Sequence, residues 1–269
     1  MSTTAVVSFI GTGNMGAALI KGLSGLAGVK LLGFDVDRKK LDDLRLKCPS
    51  LAPRDTLHEA VSQADYIILC VKPQMMRDVL GQLRESLAKN KCLISIAAGI
   101  TSARLGEWSG HVCPVARVMP NTPALVGESV SAVCLEDPGL TQAHKDMVPR
   151  IFATVGSVHV LPEKSFDAMT AVSGSGPAYV FYFMEALIEG AVATGLARPL
   201  ATQVVGALFK GSVRLALKSG VHVSELREMV TSPAGTTAEA LNHMDRMAVK
   251  AALIDAVAAA KERSIELGA

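Results

Sequence analysis

One stretch of this 269-residue chain constrains its fold most: Ile10-Gly11-Thr12-Gly13-Asn14-Met15-Gly16. Residues 5–10 before it are apolar and mostly β-branched, which predicts a buried strand, and residues 14–27 after it carry apolar side chains at helical spacing. In a dinucleotide-binding turn, Gly11 permits the tight turn, Gly13 the close approach of a diphosphate, and Gly16 the packing of helix on strand. The stretch therefore predicts a dinucleotide site, with an incidental strand–turn–helix as the alternative.

A second strand is predicted at residues 30–34, and Asp35 follows it, 19 residues after Gly16. A carboxylate at this point accepts hydrogen bonds from the ribose 2′-hydroxyl of NAD, whereas an arginine nearby suits the 2′-phosphate of NADP. Arg38 lies three residues further on. Asp35 and Arg38 together leave both NAD and NADP as candidate cofactors.

The composition argues against several classes of partner. The formal net charge is only +2 and no long single-sign run occurs, so the sequence does not predict a nucleic-acid surface. The most membrane-like segment, residues 178–196, is interrupted by Glu185 and Glu189, which favours a helix buried in protein over a membrane span. The first residues, Met1-Ser2-Thr3-Thr4, lack the basic region of a signal peptide.

The five cysteines, at positions 48, 70, 92, 113 and 134, are scattered and form no CxxC pair. No Cys/His cluster has metal-ligand spacing, so no metal site is predicted. Buried, reduced thiols in a cytoplasmic protein are the expectation. No His or Cys constellation supports a nucleophilic triad.

Strands and helices alternate through the first 161 residues, which predicts an α/β fold of parallel βαβ units with right-handed crossovers. The predicted strands after residue 34 lie at 66–71, 92–97, 112–118, 129–135 and 157–161. Ligands of such sheets bind at the carboxyl ends of the strands. The candidate site is therefore formed by the loops at 11–16, 35–38, 70–73, 97–99 and 119–123.

From residue 162 onward, no convincing strand remains and helix follows helix. We therefore expect two domains: a Rossmann domain at 1–161 and a helical domain at 162–269. Between residues 171 and 217 only five side chains are charged, so the helical domain has apolar faces that need a partner. The expectation is a homodimer, and a compact monomeric bundle is the alternative.

Three short motifs of small or rigid residues remain open from spacing alone. The backbone N–H groups of Gly235, Thr236 and Thr237 suit a carboxylate or phosphate, although a helix cap made by Ser232 or Thr237 is the more ordinary interpretation. Asn121 either bonds a cofactor amide or belongs to a structural turn. The run Ser173-Gly174-Ser175-Gly176-Pro177 either admits a ligand closely or forms a tight joint.

Taken together, these motifs resemble the pyrroline-5-carboxylate reductase family. The matching stretches occur in the family's order along nearly the whole chain. They are Phe9-Ile10-Gly11-Thr12-Gly13-Asn14-Met15-Gly16, Val71-Lys72-Pro73, Ala97-Ala98-Gly99, Arg117-Val118-Met119-Pro120-Asn121-Thr122-Pro123, Ser173-Gly174-Ser175-Gly176-Pro177-Ala178-Tyr179 and Ser232-Pro233-Ala234-Gly235-Thr236-Thr237.

The resemblance implies a Rossmann domain, a helical domain that dimerises, and in some members assemblies of dimers, with each active site built from both subunits. It implies reduction of 1-pyrroline-5-carboxylate to L-proline by NADPH or NADH, with a preference for NADPH. The implied substrate residues are Ser175, Ser232, Gly235, Thr236 and Thr237, with Thr237 contacting the ring nitrogen. The implied cofactor residues are Ile10, Gly11, Thr12, Gly13, Asn14, Met15, Gly16, Asp35, Arg38, Cys70, Val71, Lys72, Pro73, Ala97 and Asn121.

Two other functions are weighed against this one. A β-hydroxyacid dehydrogenase shares the glycine loop but needs a catalytic lysine early in its helical domain, and residues 166–199 contain none. A non-catalytic dinucleotide sensor would bind cofactor without turnover and would tolerate Thr237→Val. One departure from the family also matters: Ala234 stands where the family usually has glycine, so a positive φ there would strain the loop.

Overall fold

The computed structural model describes residues 4–268, and these form two compact units. The first comprises residues 4–175 together with 260–268, and the second is Gly176–Ala259. This division comes later than the predicted boundary at 161/162, because residues 163–175 pack with the sheet through side chains such as Phe166. The expectation that no leader precedes the first strand concerns residues 1–3, which lie outside the described residues.

The first unit contains eight strands and seven α-helices among the described residues. The strands are β1 (Ala5–Ile10), β2 (Val29–Phe34), β3 (Leu51–Pro53), β4 (Tyr66–Leu69), β5 (Cys92–Ser95), β6 (Val115–Met119), β7 (Ser129–Cys134) and β8 (Gly156–Val160). The helices are α1 (Asn14–Leu23), α2 (Arg38–Lys47), α3 (Leu57–Ser62), α4 (Met76–Leu83), α5 (Ser102–Ser109), α6 (Gln142–Ala153) and α7 (Phe166–Met169).

The strands form one sheet in the order β3-β2-β1-β4-β5-β6-β7-β8. Strand order reverses between β1 and β4, which are parallel neighbours in the sheet. This reversal is the topological switch point at which open α/β sheets bind ligands, beyond the carboxyl ends of the strands. The predicted Rossmann architecture is therefore confirmed, and it assembles the loops after β1, β4 and β5 at one edge.

The expectation of parallel units throughout is wrong at one pair, because β7 runs antiparallel to β6. Only residues 120–128 join the two strands, and they form a 3₁₀ turn at Thr122–Val126. A parallel crossover needs a dozen or more residues, so this connection is too short for one. The sequence pattern does not predict β3, whose three residues are too few to show alternation.

Each face of the sheet carries its own apolar core. One core packs Leu19 and Leu23 of α1 and Phe152 of α6 against β1, β4 and their neighbours. The other packs Leu80 of α4 and Leu105 of α5 against the opposite face. Both faces are therefore covered, as continuous apolar strands in a parallel sheet require.

Several predicted helix ends differ in detail. Apolar residues at helical spacing predict one helix at 74–88, but the structure divides it into 3₁₀ turns at Pro73–Met75 and Arg84–Ser86 around α4. The sequence predicts Ser224 as the cap of a short helix ending at residue 230. In the structure α10 (Val223–Met229) is instead capped by the His222 ring, which accepts a hydrogen bond from the Ser224 amide. The hydrophobic pattern also predicts a strand at 5–10 and a helix at 38–47, and β1 and α2 confirm both bounds.

The second unit is helical in its described residues, as predicted. It contains α8 (Gly176–Ala193), α9 (Arg198–Ser219), α10, α11 (Thr236–Arg246) and the first part of α12 (Val249–Gly268). Large apolar side chains are exposed along α8 and α9, among them Phe181, Tyr182 and Leu217, which is 80% exposed. By length and composition, α9 could span a membrane, whereas the sequence pattern indicated residues 178–196 as the most membrane-like segment.

Candidate active site

The glycine loop between β1 and α1 has the geometry that its three glycines predict. Gly11 has φ +94°, and a Cβ there would lie 2.8 Å from the carbonyl oxygen of Cys70. A Cβ on Gly16 would lie 2.5 Å from the Gly11 carbonyl oxygen. At Gly13 nothing lies within 4 Å of such an atom. Two glycines thus permit close backbone packing, while the third leaves open space for a ligand.

The N-terminus of α1 follows this loop and has no side-chain cap. Its N-cap residue is Gly13, whose backbone is extended, and no acidic residue lies in the first turn. The N–H groups of such a first turn have no intrahelical acceptors, and the helix dipole there is positive. The residues present therefore fit the diphosphate of a dinucleotide, as the sequence predicts.

Asp35, at the carboxyl end of β2, is tied to the glycine loop. Its Oδ2 accepts hydrogen bonds from the Thr12 amide at 2.6 Å and the Thr12 hydroxyl at 2.8 Å, and its Oδ1 accepts one from the Asp37 amide at 3.0 Å. Burial alone would raise the pKa of this carboxyl, but the hydrogen bonds, with attraction from Lys40, leave it below its ordinary value. The group is therefore ionised at neutral pH.

Arg38, the residue suited to a 2′-phosphate, is held by two carboxylates. Its Nε contacts Asp42 at 3.3 Å, and its Nη1 pairs with Asp55. The lysines Lys39 and Lys40 instead border an open cavity of about 440 Å³ that begins at Thr12–Asn14. The assignment of Arg38 to a 2′-phosphate therefore requires the arginine to change partners.

The loops after β4 and β5 lie beside the glycine loop in the strand order. Cys70 and Val71 are half-buried, Lys72 and Pro73 are exposed, and Ala97 is buried. Burial raises the pKa of the Cys70 thiol far above its ordinary value. The other thiols with shifted pKa values, Cys92, Cys113 and Cys134, are also raised by burial, so none of the four is a thiolate nucleophile at neutral pH.

The side chain of Asn121 is buried and already bonded within the first unit. Its Nδ2 donates to the Ser173 carbonyl oxygen at 2.9 Å, and its Oδ1 accepts from the Val130 amide at 2.9 Å and the Ser129 hydroxyl at 3.2 Å. This arrangement favours the structural-turn interpretation over a direct bond to a cofactor amide. The pairing with Ser173 was not predicted, since nothing local to either motif indicates it.

The motif that contains Ser175 forms one turn of π-helix, at Thr170–Gly174. The Ser175 amide donates to the Thr170 carbonyl oxygen at 2.8 Å, which is the i→i+5 bond of this geometry. Single π turns occur frequently at functional sites. The motif is thus a tight joint in structure, and its role with substrate stays a proposal.

The loop at residues 232–237 belongs to the second unit. It opens α11, whose N-cap is Gly235, and no side chain caps this helix. The predicted alternative, a cap made by Ser232 or Thr237, is therefore wrong. A Cβ on Gly235 would lie 2.4 Å from the Ser232 hydroxyl oxygen, so a side chain there would displace that hydroxyl. The Gly235 amide, expected to bind an anion, instead donates to the Ser232 carbonyl oxygen at 3.1 Å. The N–H groups of the first turn of α11 suit an anion, and the Thr237 side chain is half-buried beside them.

Ala234, just before this cap, has φ +57°. A left-handed backbone is unfavourable for any residue with a Cβ, so the strain expected from the Ala234 departure is present. No group of three or more His, Cys, Asp or Glu side chains among residues 4–268 has a metal-binding arrangement. The predicted cofactor residues thus lie in the first unit with Ser175, and the other substrate residues lie in the second.

Two family models match the chain. Residues 6–99 match the model described as NADP oxidoreductase coenzyme F420-dependent, and residues 163–267 match the model described as Pyrroline-5-carboxylate reductase dimerisation. The second match begins close to the predicted start of the helical domain. Together the two models span the glycine loop and the helices of the second unit.

Similar proteins extend this likeness over the whole chain. The pyrroline-5-carboxylate reductase of Methanosarcina acetivorans is 38% identical over 267 residues, covering 97% of each chain. That of Arabidopsis thaliana is 43% identical over 212 residues, covering 79% of this chain and 76% of its own. Among solved structures, the Plasmodium falciparum pyrroline carboxylate reductase with NADP bound is 33% identical, with a TM-score of 0.88 and complete coverage of both chains. The Coxiella burnetii pyrroline-5-carboxylate reductase is 31% identical, with a TM-score of 0.89 and coverage of 99% of this chain and 100% of its own.

Proposed function

Because the chain belongs to the pyrroline-5-carboxylate reductase family, we propose that it reduces 1-pyrroline-5-carboxylate to L-proline, the last step of proline biosynthesis. The observation in this structure that supports the proposal most directly is the uncapped first turn of α11, opened by Gly235 and flanked by two threonines. A small anionic substrate needs such a site, because its carboxylate must be held while its ring reacts.

The first unit holds the cofactor in this proposal. The open space at Gly13 and the uncapped start of α1 receive the diphosphate, and Asp35 faces the adenosine ribose. The loops at residues 70–73 and 97–99 line the cleft, with Asn121 ordering the loop after β6 through its bond to Ser173. When bound, NAD(P)H supplies the hydride for the C=N carbon.

The donor is NADPH, with NADH as a second donor. The likeness to the NADP-bound structure from Plasmodium falciparum supports NADPH. The ionised Asp35 carboxylate and the engaged Arg38 support acceptance of NADH, since a fixed negative charge disfavours a 2′-phosphate. Asp35 therefore sets the balance between the two donors.

The second unit holds the substrate. The N–H groups of Thr236 and Thr237 bind the carboxylate, and the Thr237 hydroxyl bonds the ring nitrogen. The Gly235 amide donates to the Ser232 carbonyl oxygen at 3.1 Å and holds the turn in shape. The Ser232 hydroxyl packs closely against Gly235 and so fixes the shape of this turn. Ser175, which follows the π turn, is a further substrate-binding residue. A protonated imine is already electrophilic, so these residues act by orienting the ring and excluding water more than by acid catalysis.

A homodimer, or an assembly of dimers, completes this proposal. The match to a dimerisation model over residues 163–267 supports it, as do the exposed apolar side chains of α8 and α9. Exposed apolar faces of this extent on a helical unit are typical of subunit interfaces. Sedimentation velocity measures the assembly directly, and a monomer at micromolar concentration would contradict the expectation.

The test of the function follows absorbance of NADPH, and separately of NADH, with pyrroline-5-carboxylate and the purified protein. Imine-dependent oxidation is the expected result, with L-proline as product. A folded protein that binds either cofactor but oxidises neither would overturn the proposal and support the dinucleotide-sensor alternative.

A further inference from the structure

We propose that the last turns of α12, residues 260–268, position the Ala97–Gly99 loop for hydride transfer. We call this segment the C-terminal brace. The inference rests on the proposed function, because that function makes the loop one wall of the cofactor cleft. The brace belongs to the first unit although the rest of α12 belongs to the second.

The first contact lies at Gly99 itself. A Cβ on Gly99 would lie 3.2 Å from the Cβ of Leu267 and 3.3 Å from its carbonyl oxygen. A Cβ on Gly268 would lie 3.1 Å from the Gly99 carbonyl oxygen. The backbone of the last helical turn therefore lies directly on the Gly99 peptide, and a Cβ on either glycine would push the two segments apart by a few tenths of an ångström.

The second contact fastens the brace to α7. Ser264 is 4% exposed and is the one buried residue of α12. Its hydroxyl donates to Asp167 Oδ1 at 2.7 Å. A buried serine on an otherwise exposed helix marks the point where that helix is held, since its hydroxyl must be bonded.

The residues around Asp167 also contact Ser102, just after the Ala97–Gly99 loop, through Arg117 and Glu163. Phe166, next to Asp167, is fully buried, and the Arg117 guanidinium lies over its ring at 4.8 Å. Arg117 pairs with Glu163 at 3.0 Å, and Glu163 Oε1 also accepts from the Ser102 amide at 2.7 Å. Residues 97–102 are thus held by the brace at Gly99 and by Glu163 at Ser102.

The Ala97–Gly99 loop lies where the sheet binds its ligand, so the contacts of the C-terminal brace act on the cofactor cleft. The loop follows β5, which neighbours β4 beside the switch point, so it faces the bound dinucleotide. Its backbone has φ +74° at Gly99, a left-handed conformation that glycine adopts without steric cost and that a side chain there would strain. A displacement of reacting atoms by about 1 Å can cost on the order of 100-fold in rate, so a brace at this point acts on turnover.

The experiment removes each contact in the full-length enzyme. Truncation after Glu266 removes the Leu267 and Gly268 contacts, and Asp167→Ala removes the Ser264 bond. Asp167→Asn keeps an acceptor oxygen at the same place, so it is the matched conservative variant. Gly127→Ala is the control for Gly99→Ala, because Gly127 has φ +79° with nothing within 4 Å of its Cβ position.

We expect the truncation, Asp167→Ala and Gly99→Ala to lower kcat by about tenfold while the dissociation constant of NADP⁺, measured by calorimetry, changes less than threefold. Hydrogen exchange of residues 97–101 in the ligand-free protein should become faster in the same three variants. Asp167→Asn and Gly127→Ala should retain the wild-type kcat and exchange.

Wild-type kcat and exchange in the truncated protein would overturn the inference, as would equal losses in Gly99→Ala and Gly127→Ala. A wild-type protein without imine-dependent oxidation would instead overturn the proposed function. In that case the exchange rates of residues 97–101 still test the brace.

Discussion

The side-chain amide of Asn121 donates a hydrogen bond of 2.9 Å to the carbonyl oxygen of Ser173, 52 residues further along the chain. The bond joins the Met-Pro-Asn-Thr-Pro loop after β6 to the Ser-Gly-Ser-Gly joint that precedes α8. Both groups are buried, and Ser129 and Val130 complete the hydrogen bonding of the amide oxygen. One asparagine therefore aligns two motifs that are separate in the sequence.

Replacing Asn121 by alanine should destabilise the first unit. The change leaves the Ser173 carbonyl and the Val130 amide without their partner, which costs about 2 kcal/mol or more. Asn121→Asp should be no better, because a carboxylate oxygen would then face the Ser173 carbonyl oxygen. Urea unfolding measures both, with the exposed Asn242→Asp as control. An Asn121→Ala variant as stable as the wild type would show that the bond contributes nothing.

Replacing Ala234 by glycine should stabilise the protein by about 1 kcal/mol, because glycine adopts a positive φ without steric cost. The matched control is Ala240→Gly in the exposed part of α11, where glycine should destabilise by about 0.5–1 kcal/mol. Thermal unfolding of both variants gives the comparison. Shifts of the same sign in both would contradict strain at Ala234.

Replacing Thr237 by valine should lower kcat/KM for the imine by roughly 10- to 100-fold, the effect of losing a hydrogen bond to a charged group. The dissociation constant of NADP⁺ should stay near the wild-type value, since the cofactor residues are elsewhere. Thr202→Val, an exposed threonine of α9, controls for the substitution itself. Unchanged kinetics in Thr237→Val would remove this residue from the site.

Replacing Asp35 by asparagine should shift the preference between donors toward NADPH by about tenfold, since one unit of charge beside the 2′-phosphate is removed. The ratio of kcat/KM for NADPH and NADH measures this, together with the dissociation constants of NADP⁺ and NAD⁺. Asp146→Asn on α6 controls for loss of a carboxylate elsewhere. An unchanged ratio would exclude Asp35 as the determinant.

The lowered pKa of Asp35 also predicts a pH dependence of stability. Because the pKa is lower in the folded than in the unfolded state, the stabilisation is complete above the unfolded value of about 4. It is lost as the pH falls through the folded value. The difference in unfolding free energy between the wild type and Asp35→Asn should therefore be constant from pH 5 to 7 and shrink below pH 4. A difference that does not depend on pH would contradict this.

The local features of the fold were predictable because they depend on residues that are close together in the sequence. The bounds of β1 and α2 follow from hydrophobic pattern, and the roles of Gly11, Gly13 and Gly16 follow from what a turn between strand and helix requires. The sequence also indicated that a positive φ at Ala234 would strain the loop, because this residue stands where the family usually has glycine, and the structure has that positive φ.

The sequence alone therefore determined the α/β class, the order of motifs and the family. Only the tertiary structure decided that Asn121 bonds Ser173, that Arg38 pairs with Asp42 and Asp55, and that the end of α12 lies on Gly99. It also decided that β7 runs antiparallel to β6. The physical reason is the same in each case: these contacts join segments that are far apart in the sequence. Local patterns of hydrophobicity or spacing do not indicate which distant segments will be in contact.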